Sequence, residues 1–180
     1  MMKWKLYPAD QMEAYLIIDV VIIVSLLYQL LTVESPIGLA GSFLLFSLFL
    51  AAYYVGLWYR DWRLPVASLF GCGLLVVFAM FYNEFLLSYG FIFADLIGRA
   101  QAKVHIFIGM CGFIIMFIVT NAYIYGNPFA FLETVHLLIL VLLLVVPFVV
   151  RFIERSKVLR RELAIANKKI ERYIQEEERH

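Results

Sequence analysis

Residues 147–180 read PFVVRFIERSKVLRRELAIANKKIERYIQEEERH, and they decide the architecture. An apolar helical pattern runs through Pro147 and Val150 into a highly charged stretch with no intervening turn signal. Residues 14–150 hold ten charged side chains, whereas residues 151–180 hold fifteen, so the solvent around the chain changes at Arg151. Beyond that point the apolar positions are Phe152, Leu159, Leu163, Ala166, Ile170 and Tyr173. Their spacing alternates between three and four once Ser156 is counted in the vacant place, which is the a/d pattern of a parallel coiled coil. Ser156 and Glu177 both fall on a positions and weaken the two ends. About three heptads are marginal for pairing alone, so a solvated single amphipathic helix is the competing reading.

Upstream, a chain of 180 residues that is 64% hydrophobic and 16% charged lacks the charge to cover a water-soluble surface. The class is an all-α membrane protein, since a β-barrel needs short alternating segments and the apolar runs here are continuous and longer. Net charge of +1 with mixed signs offers no basic face for nucleic acid. Cys72 and Cys111 sit inside apolar runs and read as packed small hydrophobes rather than a disulfide or metal pair. The first apolar run is too long for a signal peptide and lacks a small-residue cleavage site, so it reads as an uncleaved span.

A bilayer core about 30 Å thick needs about 20 apolar helical residues. Spans are predicted at residues 14–33, 37–58, 64–82, 85–98, 104–124 and 129–150. The fourth is short, which leaves a five-span alternative with a re-entrant or interfacial segment. Positive charge favours six spans with the N-terminus inside. Lys3, Lys5, Arg60, Arg63, Arg99, Lys103 and the basic tail then share one side, while Glu34, Asn83, Glu84, Asn127 and Glu133 lie on the other. Turn signals at Ser35-Pro36, Leu64-Pro65, Asn83-Glu84 and Gly126-Asn127-Pro128 agree with these boundaries. Trp4, Trp58, Tyr59 and Trp62 would mark the inner interface, and Tyr82, Tyr123, Tyr125 and Phe129 the outer one. Two regions follow: a transmembrane bundle over residues 1–150 and a cytoplasmic helical linker over residues 151–180. The outer loops are too short for a sensor domain, so any stimulus is read within or at the bilayer.

Small residues four apart, Gly38 with Ser42 and Ala67 with Gly71, are expected to let helices approach closely. Polar groups in hydrocarbon are costly and therefore informative. Asp19, Gln29, Asp95 and Asn121 are candidates for intramembrane sensing or interhelical bonding. Glu133 and His136 share a helix face and, with Glu84, could bind a metal or report external pH, but a plain interfacial polar cluster is the favoured reading. His105 beside Lys103 reads as an interfacial residue.

The tail also resembles the membrane-proximal linker of DesK-type sensor histidine kinases, whose acceptor helix carries an E-R-x-R-I-A-R-D-L-H-D motif. The resemblance rests on Pro147-Phe148, the basic run over residues 151–161, Ala166-Asn167 followed by Ile170, and Glu177, Glu178, Arg179 and His180. It covers about 34 residues; the preceding 146 are similar only in architecture. It implies a homodimeric sensor in the bacterial cytoplasmic membrane, in contact with lipid, whose last span and coiled coil relay membrane state to a kinase core. Pro147, Leu159, Leu163, Ala166, Ile170 and Tyr173 are then the transmitting residues. ATP, magnesium and a response regulator belong to that core, whose acceptor and nucleotide-binding segments are not in this sequence, so no catalysis is expected of these residues. His180 precedes the acceptor motif and is not the phosphorylated histidine. The chain reads as a sensor trimmed from a longer kinase. The stimulus implied by the type protein is cooling, which orders and thickens lipid. Other readings are a small transporter or channel with a helical tail, disfavoured by the lack of paired Gly/Pro interruptions, and the sensor of another membrane-anchored enzyme such as a cyclic-dinucleotide synthase.

Overall fold

A computed structural model describes residues 14–33 and 37–180. These residues form α1 (Ala14–Thr32), α2 (Gly38–Trp58), α3 (Arg63–Phe81), a 3-10 helix (Glu84–Gly90) running directly into α4 (Phe91–Gly98), α5 (Lys103–Tyr125), a second 3-10 helix (Ala130–Glu133) and α6 (His136–Arg179), with no strand among them. Four helices, α2, α3, α5 and α6, are long and apolar enough to cross a membrane. Lys3, Trp4, Lys5, Glu34 and the Ser35-Pro36 turn lie outside the described residues.

Local chemistry explains the boundaries. Asp61 accepts from the Arg63 amide at 3.2 Å and turns the chain into α3, where Pro65 occupies the first turn and its missing N–H costs nothing. Asn83 accepts from the Phe85 amide at 3.1 Å and starts the first 3-10 helix. Gly126, at φ +70°, ends α5 in the left-handed conformation that glycine adopts without strain. The last helix begins at His136 rather than at residue 129. Residues 129–135 form the second 3-10 helix and a turn instead, because Pro128 and the Asn127 side chain, which accepts from the Phe129 amide at 3.1 Å, close a tight turn after α5. The Thr134 hydroxyl then accepts from the His136 amide at 3.3 Å and opens α6.

The shortest α-helix occupies the centre. Ile92, Phe93, Ala94, Leu96 and Ile97 of α4 are all buried, and its neighbours admit it through glycines. Gly56 of α2 faces Leu96, Gly71 of α3 lies flat against the Phe93 ring, and Gly109 of α5 receives Ile97. Where α4 meets α6 the glycine is its own: a methyl on Gly98 would sit 2.7 Å from the Pro147 carbonyl oxygen. Close backbone approach is the main source of helix association in an apolar surround, because burial from lipid gains little hydrophobic energy. Phe93 also meets Phe49 edge-on, with ring centres 5.5 Å apart, and Phe49 meets Phe78 at 6.3 Å.

The expectation for small-residue faces holds in part. Gly71 is a packing glycine, whereas Gly38 has φ +74° and open space where a side chain would be, so it serves the backbone turn into α2. Ser42 bonds to the Gly38 carbonyl at 2.9 Å and to the Tyr82 hydroxyl. Cys72 is buried as expected, but Cys111 is exposed on α5 rather than packed.

Residues 84–98 cover more distance than their number suggests. A 3-10 helix rises about 2.0 Å per residue against about 1.5 Å for an α-helix, so the seven residues of one and eight of the other extend about 26 Å. Glu84 pairs with His136 at the start of α6, and Arg99 pairs with Glu154, about 27 Å further along the same helix. The segment therefore runs alongside α6 for that whole distance.

Candidate functional site

α6 is one unbroken helix of 44 residues that leaves the bundle and continues into the charged tail. Within the bundle it buries His136, Leu140, Leu143, Pro147 and Val150, spaced four, three, four and three. Pro147 carries no N–H, so the Leu143 carbonyl has no helical donor, and this weakened turn lies against α4. The tail stripe of Leu159, Leu163, Ala166, Ile170 and Tyr173 is exposed along its length.

The two stripes are out of phase. Extended backward in heptads, the tail stripe passes through Ser156 to Phe152, Val149, Val145, Leu142, Leu138 and Val135, all exposed large hydrophobics apart from the half-buried Ser156. Each of these places is offset by two residues from the bundle-facing set, which is about 200° around an α-helix. One face of α6 therefore packs on α4, and the opposite face carries an exposed apolar seam from Val135 to Tyr173, interrupted at Ser156.

At the tail end of the bundle, the last turn of α4 is fastened to α6 by charge. Arg99, 3% exposed at its side chain, contacts Asp95 at 3.6 Å and Glu154 at 3.2 Å, and Lys157 reaches Glu154 at 3.8 Å. Arg151 donates to the Ala100 carbonyl at 3.3 Å, while the Gln101 amide donates to the Arg60 carbonyl at 3.1 Å. The basic connections after α2 and α4 thus meet the start of the charged tail. Arg99 was expected only as a loop charge; the Asp95–Arg99 spacing of four was the signal for an ion pair. Arg63 lies over the Tyr59 ring, 4.3 Å from its centre.

The opposite end holds the second polar cluster. His136 Nε2 lies 3.3 Å from Glu84, which also accepts from the Tyr125 hydroxyl. Phe85 and Phe117 stack against the His136 ring, with centres 5.2 Å and 6.2 Å away. Glu133 is exposed and does not join this pair, which corrects the three-residue cluster expected from sequence: residue 133 ends a 3-10 helix, so it and His136 do not share an α-helical face. Among the described residues no group of three or more His, Cys, Asp or Glu could hold a metal. His136→Ala is expected to cost about 2–4 kcal/mol, as for other large buried side chains, while His136→Phe loses less; unfolding titrations in mixed micelles would measure both.

The remaining intramembrane candidates are dispersed. Asp19 is buried and accepts from the Tyr53 hydroxyl at 2.6 Å, joining α1 to α2, and Ser25 bonds Tyr89 at 2.8 Å. Asn121 donates to the Phe117 carbonyl one turn back at 2.8 Å, so its amide serves its own helix. Gln29 is half-buried on α1. Tyr53, Tyr89 and Ser25 escaped the sequence reading because aromatic and hydroxyl residues carry no signal of pairing until the helices are placed.

Comparison with protein families, with curated proteins and with solved structures finds no match. The site's chemistry is therefore argued from its own residues. It holds no nucleophile–base pair, and its distinctive property is mechanical: the end of α4 is attached to α6 at Pro147, Val150, Arg151 and Glu154, directly where α6 departs from the bundle.

Proposed function

We propose that this chain is the sensing and transmitting part of a homodimeric membrane signalling protein, with six membrane crossings and a parallel two-helix coiled coil formed by the tails. The observation that carries the reading is the two-faced continuity of α6, which packs on the bundle with one side and presents on the other an exposed heptad seam interrupted at Ser156. Two copies inserted with the same orientation have parallel α6 helices, and a two-fold axis along the seam leaves each bundle on the outside.

Six crossings are supported by the length of residues 84–98, about 26 Å, against a hydrocarbon core of about 30 Å. Arg60, Arg99 and Arg151 all lie at the tail end of the bundle, and the Glu84–His136 pair lies at the other. That distribution matches the rule that basic residues stay on the cytoplasmic side.

Bilayer thickness acts on tilt at fractions of a kcal/mol per Å of mismatch. A displacement of α4 along α6 would be delivered at Pro147 and Glu154 and passed to the tail as a change of tilt or rotation. A short coiled coil with weak ends at Ser156 and Glu177 responds to such energies, because its alternative states differ by only a few kcal/mol. The output we assign is a histidine kinase core of the DesK type, with ATP and a response regulator belonging to that core.

The test is a chimera that joins residues 1–180 to a complete kinase core and reads phosphorylation across temperature. Pro147→Ala is expected to restore the missing helical hydrogen bond and shift the switching temperature. A chimera with unchanged output, with or without the substitution, refutes the transmitter reading.

A further inference from the structure

At the junction between bundle and tail there is a cavity of about 540 Å³ whose wall carries four guanidinium groups, from Arg60, Arg99, Arg151 and Arg155, against the two carboxylates of Glu154 and Glu162. The wall itself is positive by two, and Asp95, which contacts Arg99 at 3.6 Å, offsets one of these charges. These arginines come from three places in the chain, the ends of α2 and α4 and the first exposed turns of α6, so the fold itself assembles the cluster. Arg151 uses one N–H on the Ala100 carbonyl, and its Nε is buried with no acceptor among the described residues. A guanidinium has five N–H donors in a planar fork that suits phosphate oxygens.

A second cavity of about 350 Å³ lies on the other side of the same two arginines. Arg151 and Arg155 line both spaces, and the remaining wall of the second is Ile106, Phe107, Phe148, Phe152 and Lys103. The two together make a site with a cationic chamber, an apolar chamber and two arginines between them. A soluble phosphate compound has no use for the apolar half. A phospholipid fills both, with its headgroup phosphate among the arginines and an acyl chain against Ile106, Phe107 and Phe148.

We propose that this junction is a binding site for the phosphate of an anionic phospholipid, which clamps the first turns of the tail to the ends of α2 and α4. The location at the membrane boundary rests on the reading given under Proposed function; the phosphate chemistry does not. Bound lipid would hold α6 in the bundle-attached state by bridging Arg151 and Arg155 to Arg60. Salt would weaken the contact, since the headgroup is reached from the aqueous side.

Native mass spectrometry of the full chain released from mixed micelles tests this directly. Phosphatidylglycerol should be retained about tenfold more than phosphatidylcholine with the same acyl chains, because its single net negative charge has no choline to cancel it. Arg155→Gln, at an exposed position outside the packed bundle, should reduce that retention about tenfold, and Arg151→Gln likewise. Lys168→Gln, further along the tail, should leave it unchanged. Displacement of the lipid by millimolar inorganic phosphate would assign the chamber to free phosphate and overturn the lipid site. Equal retention of the two lipids, or an Arg155→Gln chain that still prefers phosphatidylglycerol, overturns the site. A chain that retains the lipid yet does not pair through α6 would refute the transmitter reading and leave this one standing.

Discussion

Single cysteines at Leu142, Val149, Leu159 and Leu163 are expected to form disulfide-linked dimers in a chain whose exposed Cys111 is replaced by Ser, while cysteines at Leu140, Leu143 and Val150 are not. The first set follows the outward seam of α6 and the second faces α4. In a two-fold dimer about the seam, a and d positions of one helix meet their own counterparts. Cross-linking should therefore rise and fall with a period of three and four along the helix, in the same phase on both sides of Arg151. Replacing Leu163 and Ile170 together with Ser should remove the tail cross-links. Each substitution deletes an apolar knob at a cost of about 2–4 kcal/mol to the pair, which is more than about three heptads can spare. Linkage that persists in the double variant, or that shows no periodicity, sinks the pairing. Over residues 135–150 the outward half of the helix is apolar off the seam as well, at Leu137, Val141 and Phe148, so the phase of cross-linking and not apolarity distinguishes a partner helix from lipid.

Gly98→Ala is expected to be the most damaging conservative change in the bundle, at about 1–3 kcal/mol of overpacking. The added methyl would meet the Pro147 carbonyl oxygen at 2.7 Å, the Val150 Cβ at 2.8 Å and the Pro147 Cα at 3.0 Å. Two of these three are backbone atoms, so no rotamer change relieves the clash and α4 must move away from α6. The neighbouring Arg99–Glu154 pair at 3.2 Å would be stretched by the same movement. Gly73→Ala is the control, because a methyl there meets nothing within 4 Å and a helical alanine is favoured over glycine by about 1 kcal/mol. Unfolding titrations of both variants should move in opposite directions. In a kinase chimera Gly98→Ala should also fix the output at one level across temperature, since the contact proposed to pass motion to α6 is the one broken. Equal stability of the two variants would show that the α4–α6 contact is looser than described.

Much of the helical layout was legible in advance, and the physical reason is that the hydrocarbon length sets a strong period on apolar runs. α2, α3 and α5 begin and end, and α1 ends, within a residue or so of the predicted bounds, since the charges and turn formers at Asp61, Asn83 and Gly126 punctuate them. The last span was placed seven residues early because Phe129, Ala130, Phe131 and Leu132 are apolar enough to look helical. Their backbone instead closes tight turns, a choice made by Pro128, Asn127 and Thr134. The polar candidates fared unevenly. Asp19, Asp95, Glu84 and His136 each have a partner on another residue, whereas Asn121 bonds its own helix and Glu133 stands outside the outer pair.

The amino-acid order by itself determined the class and the stripe of the tail: long continuous apolar runs, one abrupt change from apolar to charged residues at Arg151, and a heptad pattern beyond it. Those are one-dimensional properties, carried by composition and spacing. The tertiary structure alone decided that the shortest segment is the central one, because four glycines from different parts of the chain let backbones approach there. It alone gathered Arg60, Arg99, Arg151 and Arg155 around one cavity. It also set the two stripes of α6 about 200° apart in use, since which face of a helix is buried depends on where its neighbours stand.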